Sequence, residues 1–469
     1  MSEQSDKSPK PAPRSIRKGA KEMLRIGQKA LDYRRDLLEE SQEDELKKLL
    51  GELNECIKDK HSTESDLDEK ARKLDEALTE LGGDFYNKKS WLENAEMLLV
   101  AAIIVIGIRS FFIQPFIIPT NSMYPTYFGM QPYIYEEEKE DLPGIAGRTM
   151  DKLLLGASHY KLESEANGEL FLVLQNQGSF SPATEYFPNG KFFVFPAPAR
   201  EYVFDIGGKR HSLKVPAEFD LDSVLAKKFA GIDDLRDIPR IIPQTGGFES
   251  YGRLRLSEKI YKKGDVVLAF DVLLGDALFV DRMSYNFVRP KSGDPAVFRT
   301  ADIDKANDQL QVPRAAQIGE DKYYIKRIVG EPGDELEMKV PEDIYTNGTD
   351  LRGGTPGILY RNQKQISGNV AFEMNRERVE NLAKDPNATN TTDYPGYRAE
   401  GLLSNQSPLK VYAKTNTKNP TGQNFYFAMG DNSPDSLDGR AWGFVPEQQL
   451  VGRALFVYYP FTKRWGISK

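Results

Sequence analysis

Ile117-Ile118-Pro119-Thr120-Asn121-Ser122-Met123-Tyr124-Pro125-Thr126 follows directly on an uncharged apolar run, and Tyr323-Tyr324-Ile325-Lys326-Arg327-Ile328-Val329-Gly330 lies far downstream. What the rest of the chain lacks makes these two segments informative. It holds three histidines, His61, His159 and His211, so nothing beyond residue 211 offers an imidazole base. The one cysteine, Cys56, is remote from both segments in sequence. For a hydrolase built on this chain the base is then not histidine, and a serine paired with a lysine becomes the leading candidate.

The chemistry sets a condition on such a pair. A serine hydroxyl is a weak nucleophile until a base takes its proton. Lysine titrates near ~10.4 and is protonated at neutral pH, which disqualifies it as a base. Burial among apolar groups disfavours the ammonium form and lowers that value by up to ~3–5 pH units. Lys326 lies among the strand formers Tyr323, Tyr324, Ile325, Ile328 and Val329, and on a strand it shares a face with Tyr324 and Ile328. Taken singly, each residue also has an ordinary role: Lys326 as an outward-facing strand lysine, Ser122 as part of an Asn-Ser turn. A third segment runs from Gly430 to Pro446 as GDNSPDSLDGRAWGFVP. It reads either as a polar hairpin or as a loop that places a hydroxyl and a carboxylate beside a site.

The 469 residues leave room for two to four compact units. A net charge of −7 with 28 % charged residues lacks the concentrated basic footprint of a nucleic-acid binder. A single cysteine excludes an internal disulfide and any Cys-rich metal centre. No Walker-type phosphate loop or paired dinucleotide fingerprint occurs.

Residues 1–14, rich in Ser, Pro and Lys, are expected to be disordered. Residues 16–81 read as helix. Leu46, Leu49, Leu50, Leu53 and Ile57 form one amphipathic stripe, and Leu67, Ala71, Leu74, Leu78 and Leu81 form a second. With a Ser/Thr-rich N-cap between them and Gly82-Gly83 beyond, the spacing predicts a helical hairpin or short coiled coil, either a solvated stalk or a partner-binding element. The apolar run 97–108 is too short by itself to cross a bilayer. Trp91 and Lys88-Lys89 flank it, and the chain stays uncharged beyond Arg109, whose side chain can snorkel. Together these predict a single span, too deep in the chain for a cleaved signal peptide. Pro115 and Pro119 end any helix, and the rest reads mainly as strands. These are placed at 169–174, 191–196, 277–282, 295–299, 323–329, 335–339, 425–429 and 450–459, with a hairpin of 202–206 and 209–215 around Gly207-Gly208. Residues 221–229 are the one convincing helix there, and 345–423 read as a loop-heavy excursion.

In this order the segments resemble the bacterial type I signal peptidases, membrane-bound Ser/Lys enzymes that cut leader peptides from exported proteins. The likeness begins at Arg109-Ser110-Phe111-Phe112-Ile113-Gln114-Pro115-Phe116 and runs through Thr126. It resumes at Gly275-Asp276-Ala277-Leu278-Phe279-Val280-Asp281-Arg282, with Tyr285 and Lys291-Ser292-Gly293-Asp294-Pro295-Ala296-Val297-Phe298, then at Tyr324-Ile325-Lys326-Arg327-Ile328-Val329-Gly330 and Pro332-Gly333-Asp334. The polar loop and Val445-Pro446 through Gly452-Arg453-Ala454 complete it. The resemblance implies Ser122 as acylating nucleophile and Lys326 as general base. It implies Ser436 as the group orienting the amine, and the Ser122 N–H with the Thr120 hydroxyl as oxyanion hole. Asp438, paired with Arg327 or Arg440, would hold the loop. Phe116, Ile118, Pro119, Met123 and Tyr324 would line shallow pockets for small residues before the cut.

The implied fold is mainly β: a signal-peptidase-like all-β catalytic core with two insertions, preceded by an N-terminal helical hairpin and one transmembrane helix. The expected divisions are a cytoplasmic arm and hairpin over 1–90, the anchor over 91–113, and core segments at 114–130, 264–335 and 424–469. Between the core segments lie an inserted α+β domain at 131–263 and a loop-rich insertion at 336–423. The expected setting is the bacterial cytoplasmic membrane, single-pass, with the N-terminus cytoplasmic and the catalytic domain on the outer, periplasmic side. Signal-peptide-bearing preproteins, the lipid bilayer and the secretion translocon are the expected partners, with no nucleic acid, metal or cofactor. A self-cleaving relative of the fold and a catalytically silent scaffold are the competing readings. The sequence also departs from the family pattern: Asn121 replaces the usual glycine, Ser433 stands where arginine is common, and Gly439 where a second serine is frequent.

Overall fold

The two leucine stripes of the N-terminal region fold as helices, and a third helix packs with them. The computed structural model describes residues 11–86, 90–135, 144–176, 180–188, 190–192, 195–196, 198–232, 234–244, 252–342, 355–384, 396–404 and 407–468. The chain divides into two compact units, Met1–Ile106 and Gly107–Lys469. In the first, α1 (Arg14–Arg34), α2 (Glu40–Lys58) and α3 (Glu64–Leu81) bury Ala20, Ala30, Leu46, Leu50, Leu53, Leu67, Leu74 and Leu78 in one core. The expected hairpin is therefore a three-helix unit. Gly27 on α1 makes the closure possible, because a Cβ there would come 2.8 Å from the Leu50 side chain and 3.3 Å from Leu74. Capping boxes start α2 and α3; in the second the N-cap is Thr63, within the Ser/Thr-rich stretch expected to cap it, and Asp66 completes the box. Of the stretch expected to be disordered, residues 1–10 lie outside the described residues. Ala12 is buried and its N–H donates to the Ser62 carbonyl at 2.9 Å, so the residues just before α1 are ordered.

Helix α4 (Ser90–Phe111) is longer than the apolar run that predicts it. Its 22 residues span roughly 33 Å, and it is the one helix among the described residues long and apolar enough to cross a membrane. Lys88 and Lys89 lie outside the described residues.

The second unit is organised by an antiparallel sheet. Its strands are β1 (Ile113–Ile117), β2 (Ala277–Asp281), β3 (Pro295–Arg299), β4 (Tyr323–Gly330), β5 (Phe425–Met429), β6 (Val445–Pro446), β7 (Leu450–Tyr459) and β8 (Gly466–Ile467). They lie in the order β1-β2-β7-β3-β4-β5-β6, with β8 on β7. The sheet curls strongly: β1 and β4 are separated by three strands in this order, yet the rings of Phe116 and Tyr323 sit 5.2 Å apart. Strand β5 is an unbroken apolar run because both of its faces are covered. Phe425, Phe427 and Met429 point into a core shared with Leu336, Leu359 and Phe372, while Tyr426 and Ala428 pack with Phe298, Ile328 and Trp442.

Two excursions leave this sheet. The first forms a five-stranded antiparallel sheet, centred on the hairpin Ala199–Ile206/Lys209–Pro216, with the helix Leu221–Ala230 packed on it. The strand Val266–Leu273 pairs with Gln131–Ile134 and Ser158–Glu163, so it joins the excursion's core rather than the main sheet that its sequence position suggested. A helix at Ile145–Leu155 was not anticipated. The second excursion carries a small four-stranded sheet and a 15-residue helix, Val370–Lys384, where the composition suggested mostly loop. Its buried Ala371, Phe372, Asn375, Val379 and Leu382 have helical spacing, and Asn369 accepts from the Ala371 N–H at 2.9 Å at its start.

The connection between the first excursion and β2 returns against the serine segment at Gly275. A Cβ there would stand 1.9 Å from the Ile118 carbonyl oxygen. Gly275→Ala is expected to cost at least ~1–3 kcal/mol by forcing these backbones apart, measured as a lowered urea midpoint at unchanged m.

Candidate active site

Ser122 sits in a single 3₁₀ turn, Asn121–Met123, immediately after β1 and Pro119. Each of its neighbours is fixed. The Ile118 N–H donates to Asp276 O at 2.9 Å, and the Met130 N–H donates to Pro119 O at 3.1 Å. Asn121, in the place of the usual glycine, accepts the Gly129 N–H at 3.0 Å through its side chain. Met123 anchors the turn from below, fully buried against Tyr127, Leu278, Ala454 and Val457. From the other side the polar loop closes on it: the Asn432 N–H donates to Ser122 O at 3.1 Å, and its side-chain amide donates to Asn121 O at 3.1 Å. Gly430 allows this approach, since a Cβ on it would lie 2.4 Å from Ser122 O.

Lys326 stands in the middle of β4, in register with Ala296 of β3. Its Nζ lies 2.5 Å from Ser122 Oγ, and both residues are only 5 % exposed. Burial is the main influence on this amine and brings its pKa down to about 8; Arg440 pushes the same way, while Asp438 and Asp431 oppose. The Tyr324 ring, 5.8 Å from Nζ, shields one side.

Next to Lys326 the structure chooses between the two expected partners of Asp438, taking Arg440. Arg327 does not pair with Asp438. It donates to Asp431 through Nε at 2.7 Å and Nη2 at 2.6 Å, with both side chains wholly buried. Its Nη1 donates to the Gly293 carbonyl, and the Thr126 hydroxyl donates to Asp431 at 2.6 Å. Asp438 pairs with Arg440 instead, accepting from Nε at 2.9 Å and Nη2 at 2.8 Å, and it also accepts the Gly430 N–H at 2.9 Å. Burial alone would raise the Asp438 carboxyl, but Arg440 holds it below its ordinary value. Ser433 accepts the Arg398 N–H at 3.0 Å and bonds to the Arg440 guanidinium.

Two further expectations are altered. The Ser436 hydroxyl packs against Gly430 but has no hydrogen-bond partner among the described residues, so the orienting bond to Lys326 is not formed here. Met123 does not line the groove beside the serine, because its side chain is taken up by the core beneath it. An apolar groove runs from Ser122 and Lys326 past the exposed Thr120 along Phe116, Ile118, Pro119 and Tyr324, all expected there. It also takes in Leu278, Val297, Tyr323, Ile325 and Leu437, with Glu218, Lys322 and Asp435 as charged members. Leu278 and Val297 sit inside segments that the resemblance covers; Glu218 had no signal at all.

Residues 269–459 match the family model described as signal peptidase, peptidase S26. That match takes in most of the β core and less than half of the chain. The serine turn lies outside the matched S26 residues, on the far side of the first excursion. Signal peptidase I of Buchnera aphidicola is 30 % identical over 224 residues, covering 41 % of this chain and 65 % of that protein. Signal peptidase I of Aquifex aeolicus is 26 % identical over 200 residues, covering 40 % and 70 %. The chain thus spans just under two thirds of the Buchnera protein's length. A solved signal peptidase I from Enterococcus faecalis aligns over 97 % of its length and 35 % of this chain at 20 % identity, with a TM-score of 0.20, too slight a likeness to say anything about the fold.

Within the second unit, the Arg327–Asp431 pair joins the serine, lysine and polar-loop segments. Removing one partner strands the other charge in the interior, so Asp431→Ala is expected to destabilise the second unit by about 3–5 kcal/mol. The double variant Arg327→Met/Asp431→Leu should lose less than the two single changes summed, as read from urea unfolding of all four proteins.

Proposed function

We propose that this chain is a membrane-anchored serine endopeptidase that removes N-terminal signal peptides from exported preproteins, cutting after small residues of the Ala-x-Ala type. One observation carries the reading: a buried lysine amine 2.5 Å from a buried serine hydroxyl, at the end of an apolar groove. The signal peptidase I relatives in Buchnera and Aquifex support it.

In the proposed reaction a neutral Lys326 Nζ takes the Ser122 proton as Oγ attacks the carbonyl carbon of the residue before the cut. The carbonyl oxygen gains negative charge and is met by the Ser122 N–H and the Thr120 hydroxyl. Collapse of the tetrahedral adduct breaks the C–N bond, and the Lys326 ammonium returns its proton to the leaving amine. Lys326 then deprotonates a water, which hydrolyses the Ser122 ester and frees the leader. Phe116, Ile118, Pro119 and Tyr324 would form the wall against which the small side chains of an extended leader lie. Helix α4 would serve as the anchor, since only the short strand β1 and a few residues separate its end from Ser122.

The deciding experiment is cleavage of a leader peptide ending in Ala-x-Ala by detergent-solubilised protein. Ser122→Ala and Lys326→Ala should both fall by at least ~10²–10⁴-fold in kcat/KM. Lys326→Arg should be equally inactive, because guanidinium does not deprotonate near neutral pH. Full activity in Lys326→Arg would remove lysine as the base. Thr120→Val should lose ~10²–10³-fold in kcat.

The rate should also depend on pH with a fixed sign. With Lys326 at about 8, the working neutral amine is the minority form at pH 7 and the majority above pH 8. kcat/KM should therefore climb about tenfold from pH 7 to 9 and then level off. A pH profile flat from 6 to 9 would contradict the lysine-base mechanism.

A further inference from the structure

The groove has a charged end that the serine and lysine do not explain. Glu218 lines it, delivered by the turn between the strand Lys209–Pro216 and the helix Leu221–Ala230 of the first excursion. Its carboxylate lies 3.4 Å from Lys322 Nζ, and Lys322 also pairs with Glu320 at 2.5 Å. Two carboxylates on one ammonium leave this end of the groove with a net negative charge. Both Glu218 and Lys322 remain about half exposed, at 44 % and 47 % of their side chains. An ion pair so exposed does little for stability. Its main consequence is the field that it sets where a peptide would lie.

Position along the groove follows from strand geometry. Lys322 directly precedes β4, four residues before Lys326, and a strand rises ~3.3 Å per residue, so the two ends of the groove are separated by about 13 Å. The lining between them is apolar, through Tyr324, Phe116 and Tyr323. An extended leader with its scissile carbonyl at Ser122, running along β4, reaches the Glu218–Lys322 end four residues further on.

We propose that Glu218 makes the first excursion a specificity element of the site: the groove favours a basic side chain about five residues before the cut and disfavours an acidic one there. The inference rests on the peptidase reading above and names a substrate preference within it. Glu218 acts here as a recognition group, with no part in bond breaking.

The test uses the full-length protein in detergent and three peptides identical except for Lys, Gln or Glu at the fifth position before the cut. At low salt the wild type is expected to cut the Lys peptide about 2–5-fold faster than the Glu peptide in kcat/KM. The ratio should collapse towards one in ~1 M NaCl, where the Debye length falls to ~3 Å. Glu218→Lys should invert the ratio, and Lys322→Gln, which leaves both carboxylates unbalanced, should raise it. A purely structural role for Glu218 could lower all three rates together but could not invert their order. A wild-type ratio indistinguishable from one, or an unchanged ratio in Glu218→Lys, overturns the inference while leaving the peptidase reading intact. Failure to cut any of the three overturns both.

Discussion

The buried pair of Arg327 and Asp431 is the constraint on which the site depends. Arg327 follows the proposed base directly, Asp431 opens the polar loop, and Thr126, at the end of the serine segment, donates to the same carboxylate. One wholly buried ion pair thus ties together three stretches that lie far apart in the chain. Its cost of desolvation is met because most donors and acceptors are used, with further guanidinium N–H groups donating to the Gly293 carbonyl and to the Thr126 hydroxyl oxygen. Specificity of arrangement, more than stability, is what such a pair contributes here: alternative registers of β4 against β5 would leave a charge unmatched in the interior.

Around that fixed point the chain solves two opposing electrostatic problems. The loop must keep Asp438 ionised, and Arg440 does this at 2.8–2.9 Å while the Gly430 N–H adds a further bond. Lys326, also buried, shows the opposite behaviour, its ammonium form being disfavoured. No carboxylate forms a salt bridge with it among the described residues; its contact is the neutral Ser122 hydroxyl, and burial dominates its behaviour. The same low-polarity surroundings therefore have opposite effects on the two groups, according to whether a counter-charge is bonded to each.

The two excursions are part of the site's construction. The second supplies Arg398, whose N–H bonds to Ser433, and Glu400, which pairs with Arg440, so it buttresses the polar loop from behind. The first returns through Gly275 against the serine segment and sends Glu218 to the groove. Ser433 and Asn121, both departures from the family pattern, have local explanations: each engages hydrogen-bond partners that hold its own turn.

The sequence by itself determined what depends on neighbours in the chain. Apolar runs and alternations located the strands at 295–299, 335–339, 425–429 and 450–459, and period-3.6 patterns the helices α2 and α3, because burying apolar side chains is a local demand on the sequence. Ser122 and Lys326 were legible together because the chain offers no histidine beyond residue 211 and because the segments occur in a recognisable order. The tertiary structure alone decided which arginine meets which aspartate, that Met123 serves the core and not the groove, that α1 closes the N-terminal hairpin into a three-helix unit, and that Glu218 reaches the groove. Each of these is a pairing between distant residues, and a charge or a methionine carries no local periodicity that names its partner. Such partners are chosen by the curl of the sheet and the paths of the excursions, which exist only once the chain has folded.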